Sequence, residues 1–134
     1  MAKTWRQKLA GAGPAHVEVL DKACWGLPIG ARLFIATPVM IQERLEAIPC
    51  GQTQAVEALR AELATTHGAD GTCPLTTGIF LRIVAEVALE ELAEGADIAE
   101  VAPFWRVIDP KSPLAKKLSC GPDWIRAQRA AEQS

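Results

Sequence analysis

Residues 102–109 read APFWRVID: a proline, two adjacent aromatics, an arginine, two β-branched residues and an acid. The whole chain holds four Trp, three Phe and no Tyr, so two aromatic neighbours directly before an arginine are conspicuous. Phe, Trp, Val and Ile favour extended backbone. The expectation is a short strand in which alternation sends Phe104 and Trp105 to opposite faces. One of the pair is then buried in the core, the other can line a pocket, and Arg106 fixes a loop by hydrogen bonds.

Around this stretch the chain reads mostly helical. Thr4 can cap a short helix over TWRQKLA, and AHVEVLDKAC (residues 15–24) reads as a second. GLPIGARLFIA is too rich in Gly and Pro for a helix and reads as loop or short strand. Thr37 can cap the next helix, with Pro38 in its first turn and an apolar stripe of Met40, Ile41, Leu45 and Ile48. Another helix runs from about Gln54 to Thr66, turning Val56, Leu59 and Leu63 inward and stopping at Gly68. CPLTTGIFLRIVAEVALEEL is the longest helix. Ile79, Ile83 and Val87 form one line on it, Phe80, Val84 and Ala88 the next, and Gly95 ends it. DPKSP reads as loop. A last helix starts near Pro122 and carries Trp124, Ile125, Arg126 and Arg129. Two consecutive helices across a short Gly-containing turn, then a strand and a basic loop, fit a helix-turn-helix with a wing-like tail. The fold class expected is mainly α: a small winged helix-turn-helix over residues 37–134, with residues 1–36 an extension packing on it.

A chain of 134 residues with 49% hydrophobic and 22% charged residues has the make-up of one globular domain with a real core. No stretch approaches the ~20 apolar residues of a membrane span. MAKTWRQKLAG carries charges where a signal peptide needs its apolar run, so a cytoplasmic location with reduced thiols is expected. Cys24, Cys50, Cys73 and Cys120 form no CxxC pair, and with only His16 and His67 beside them no metal or cofactor is expected. The net charge of −2 hides an asymmetry. Residues 39–103 set three arginines against eleven acids. Residues 104–134 set Arg106, Lys111, Lys116, Lys117, Arg126 and Arg129 against Asp109, Asp123 and Glu132. A basic C-terminal third permits an anionic partner on one face; a mixed surface with local bias is the plainer reading.

With these landmarks in order, Pro103-Phe104-Trp105-Arg106-Val107-Ile108 resembles the Pro-Cys-His-Arg-Val-Ile/Val signature of the alkylguanine-DNA alkyltransferases. IPCGQTQAVEALRAEL (residues 48–63) is similar to that family's Ile-Pro-x-Gly-x-Val entry to the first helix of its pair. CPLTTGIF falls where the family has its recognition helix, and Glu132 matches its terminal glutamate. The resemblance spans about Thr37 to Glu132. It implies the family's DNA-binding domain, a pocket around Phe104, Trp105, Arg106, Cys120 and Glu132, and duplex DNA, plain or alkylated, as partner.

The departures decide the chemistry. In the family a cysteine thiolate attacks the alkyl carbon beside a histidine base, which needs a nucleophile next to a base. Phe104 is no nucleophile, and the Trp105 indole only donates. Alkyl transfer by the family route is excluded. The chain is similar instead to the alkyltransferase-like variant, which binds alkylated bases without repairing them. The family's phosphate-pressing Tyr is Val56 here. Its base-stack Arg aligns with Gly78, with Arg82 one turn later. DNA contact is expected from Thr76, Thr77, Gly78 and Arg82 at the start of the recognition helix and from Lys111, Lys116 and Lys117 in the tail.

Two other readings stand beside this one. A helix-turn-helix reused as a protein-interaction or regulatory module suits the acidic middle, Val56 and Gly78. A thiol enzyme would use Cys73, at a helix start with His67 close in sequence, or Cys120 in LSCGPDW.

Overall fold

Thr37 and Pro38 open the first long helix, as their chemistry requires. Thr37 Oγ1 accepts from the Met40 N–H at 3.1 Å, and Pro38 occupies the first turn of α2 (Pro38–Glu46), where no backbone donor is missed. A computed structural model describes residues 4–133. α1 (Trp5–Ala10) starts with a capping box between Thr4 and Gln7. α3 (Val56–Thr66) buries Leu59, Leu63 and Ala64 and stops before Gly68, which takes φ +64. α4 (Pro74–Ala93) is the central helix. Its Leu81, Val84, Ala85 and Ala88 enter the core beside α2, and Gly95 at φ +105 follows its end. α5 (Pro113–Lys117) is one turn and a half capped by Ser112, whose Oγ accepts from the Ala115 N–H at 3.2 Å. α6 (Gly121–Gln133) closes the chain. The fold is mainly helical with a small sheet.

Three strands lie in the order β1 (His16–Val19), β2 (Arg32–Ile35), β3 (Gly71–Thr72). β1 runs antiparallel to β2, pairing Val17 with Phe34. β2 runs parallel to β3, which it reaches through α2 and α3. Residues 15–24, expected to be helical, thus supply a strand. Val17 and Val19 are β-branched, and pairing with β2 satisfies backbone groups that a helix would have satisfied locally. Within residues 1–36, Phe34 and Ala36 belong to the same core cluster as Leu59, Leu81 and Trp105.

APFWRVID is the second correction. Phe104–Arg106 form a 3₁₀ turn, not a strand. The Phe104 N–H bonds Ala102 O at 2.8 Å, and the Ile108 N–H bonds Phe104 O at 2.9 Å. A turn does not alternate faces, so both aromatics point inward. Phe104 is 0% exposed and Trp105 1%. α5 also replaces part of what reads as loop. The longest helix differs in one line: Ile83 and Val87 are buried, but Ile79 is 51% exposed. Among the described residues no helix is long and apolar enough to cross a membrane.

Candidate functional site

Phe104, Trp105 and Trp124 pack as one three-ring cluster. Phe104 stacks on Trp124 with centroids 5.3 Å apart, and Trp105 meets both rings edge-on at 5.3 and 5.7 Å. The packing is that of a core. The pocket role expected of Phe104 does not hold in this structure: the side chain is fully enclosed and offers no face to a base.

Below the rings, Glu132 on α6 is a hub. Its carboxylate accepts from Trp105 Nε1 at 2.9 Å, from the Arg106 guanidinium at 2.7 Å and from the Gly51 N–H at 3.3 Å. Arg106 also donates to Ile48 O at 2.7 Å. The ion pair is largely buried on both sides. Arg106, with help from Trp105 and Gly51, holds the Glu132 carboxyl down at about 2 against the opposing effect of burial. A carboxylate so committed orients structure and is no base. Arg129 adds a second fastening, donating to Trp105 O at 2.6 Å and Ile108 O at 3.1 Å. Nothing in the sequence singles out Arg129, because its acceptors are backbone carbonyls on another segment.

A cleft of about 340 Å³ opens beside this clasp. Three separate segments wall it: Val56 at the start of α3, Gly78 on α4, and Val107 and Ile108 just beyond the aromatic pair. Asp109, Ser112, Leu114, Glu57 and Arg60 also line it. A Cβ added to Gly78 would meet nothing within 4 Å, so the cleft is roomy at that point. The clasp sets the path of Val107 and Ile108 and so shapes one wall.

The residues expected to meet DNA are divided by the fold. Gly78 lines the cleft. Thr77 does not reach the surface: it is 1% exposed and its hydroxyl donates to Cys73 O at 2.7 Å, a bond back along its own helix that removes it from any contact face. Thr76 is half-buried and bonds the same carbonyl at 3.4 Å. Arg82 donates to Lys117 O at 3.4 Å and lies 5.2 Å over the Trp5 ring. Lys111, Lys116 and Lys117 are exposed, and among the described residues none is ion-paired.

Neither thiol proposed as a nucleophile is set up as one. Cys73 is buried, and His67 is stacked on Phe34 at 4.1 Å; no hydrogen bond joins the two. Burial pushes the Cys120 thiol up from its usual value, which lowers the thiolate fraction on which reactivity depends. Among the described residues no group of three His, Cys, Asp or Glu could hold a metal ion. No family model, curated protein or solved structure matches the chain.

Proposed function

We propose that the chain is a non-catalytic DNA-binding protein of the alkyltransferase-like kind, a winged helix-turn-helix that recognises alkylated or otherwise modified bases. One observation carries the reading. Val56 and Gly78, the positions that the resemblance gives to the phosphate-pressing Tyr and the base-stack Arg, line one cleft together with Val107 and Ile108 of the quoted signature. α3 and α4, separated by Gly68 and a two-residue strand, serve as the helix pair. Residues 107–117 serve as the wing-like tail and bring the unpaired Lys111, Lys116 and Lys117. The enclosed ring cluster fills the place of the acceptor, so recognition falls to the apolar cleft and the basic tail.

A helix-turn-helix reused for protein contact is the second reading. The carboxylates of Glu57 and Asp109 on the cleft wall favour it, because they repel phosphates. Fluorescence anisotropy with plain and alkylguanine-containing duplexes at two salt concentrations tests both. The DNA reading expects binding that weakens with salt through counterion release and is tighter for the modified duplex. Absence of binding at low salt overturns it in favour of the second.

A further inference from the structure

The two edges of the sheet differ. β3 ends it on one side and is two residues long. The loop that bridges Cys24 to Leu27 lies against it: a Cβ added to Gly71 would stand 2.8 Å from Leu27 Cδ1. A short, covered strand is a closed edge. β1 ends the sheet on the other side with four residues, HVEV. It holds neither proline nor lysine, the residues that commonly close an edge. Val17 packs on the core, while His16, Glu18 and Val19 are exposed.

The backbone of this edge has an orientation. The Leu20 N–H bonds Ala31 O at 3.0 Å, so Leu20 faces β2. In an antiparallel pair such facing alternates along the strand, and the register runs back through Glu18 with Leu33 to His16 with Ile35. Ala15, Val17 and Val19 therefore turn their N–H and C=O groups away from β2. Among the described residues no other segment takes a backbone bond from Val17 or Val19. Such a row of open groups is a template for another strand.

The side chains on this edge are complementary to themselves. His16 and Glu18 share one face, with His16 Nε2 3.2 Å from Glu18 Oε1. The Pro14 carbonyl, and after it the Glu18 carboxylate, raise the His16 pKa from its ordinary 6.5 and favour the cation. β2 sets only the apolar Leu33 and Ile35 behind them, and Asp21 and Lys22, of opposite sign, follow beyond the strand end. Two copies of β1 laid antiparallel about Val17 put each His16 opposite Glu18 of the other copy, Val17 opposite Val17, and Val19 opposite Ala15. In that register the outward groups meet. A slide of two residues keeps them in phase but sets Glu18 against Glu18 one way and His16 against His16 the other, and like charges directly opposite are destabilising. A slide of one residue puts outward groups against inward ones.

We infer that β1 is a homodimerisation edge: two copies pair their β1 strands antiparallel about Val17 into one continuous sheet, and the crossed His16–Glu18 pairs fix the register. The two-fold axis makes the contact isologous and closed, so assembly stops at two. No β1 residue lines the cleft, so pairing through β1 is independent of what the cleft binds.

Sedimentation velocity of the full chain at pH 6, across micromolar concentrations, tests this. The contact is small, and the parent should pass from monomer to dimer with a dissociation constant on the order of micromolar. Val19→Pro removes an outward N–H and no bond to β2. Its circular dichroism should match the parent, and it should stay monomeric where the parent is dimeric. His16→Glu and Glu18→Lys each set like charges across the two-fold axis and should each weaken association about tenfold. The double His16→Glu/Glu18→Lys variant restores opposite charges and should return close to the parent. Should Val19→Pro fail to fold, the charge swaps decide alone. A parent monomeric throughout, a folded Val19→Pro variant that dimerises as the parent does, or a double variant no tighter than either single change overturns the pairing.

Discussion

Trp105 and Glu132, 27 residues apart, are joined by an indole-to-carboxylate hydrogen bond of 2.9 Å, and the same carboxylate holds Arg106. Truncating Glu132 leaves the Arg106 cation enclosed without its partner. Glu132→Ala should therefore destabilise the fold by about 3 kcal/mol or more. Urea unfolding should give a lower midpoint at unchanged slope. A midpoint within error of the parent would mean that the clasp contributes nothing.

The same carboxylate sets an acid limit. Its pKa is lowered from 4.5 to about 2 in the folded chain, so the folded state binds this proton less readily than the unfolded state. The stabilisation is fully present above about pH 4.5 and is lost as pH falls towards 2. It amounts to on the order of 3 kcal/mol. Denaturant midpoints measured from pH 6 to pH 2.5 should fall in the parent, and Glu132→Gln should remove most of that decline.

Phe104 and Trp105 share one ring cluster and are equally enclosed, so they should behave alike. Each change to Ala should lower stability by about 3–5 kcal/mol, a large part of the 5–15 kcal/mol typical of a domain. Thermal unfolding of the two variants checks this. A Phe104→Ala variant with parental melting temperature would restore the pocket role expected from the sequence.

Lys116 and Lys117 are exposed, and among the described residues neither is ion-paired. If they meet phosphates, changing both to Glu should weaken duplex binding and flatten the salt slope by about one unit per lost contact. An unchanged slope moves the contact surface elsewhere.

Phe104 carries no nucleophile and the Trp105 indole only donates, so incubation with alkylguanine DNA should leave the intact mass unchanged. A stoichiometric alkyl adduct would point to a relocated acceptor, with Cys50 the first site to map because it is the exposed thiol among the four.

Helix starts and stops were readable from the residues. Thr4, Thr37, Pro38, Pro74, Gly68 and Gly95 each act within one turn of where they stand, through a cap, a missing donor or a left-handed φ. The inward stripes of α2 and α3 were readable for the same reason, since helical spacing is local. That Phe104 and Trp105 supply no nucleophile or base needed only side-chain identity, because no fold makes phenylalanine a nucleophile. Three-dimensional contact settled the rest. β1 is a strand because β2 lies beside it, pairing Val19 with Arg32 and His16 with Ile35. Phe104 and Trp105 point the same way because the chain turns where local propensity favoured extension, and Trp124 on α6 fills the space against them. Glu132 is a structural hub because Gly51, Trp105 and Arg106 converge on it from other segments. Such contacts depend on loop closures and packing between distant residues, and propensity, capping and periodicity carry no information beyond the few neighbours they span.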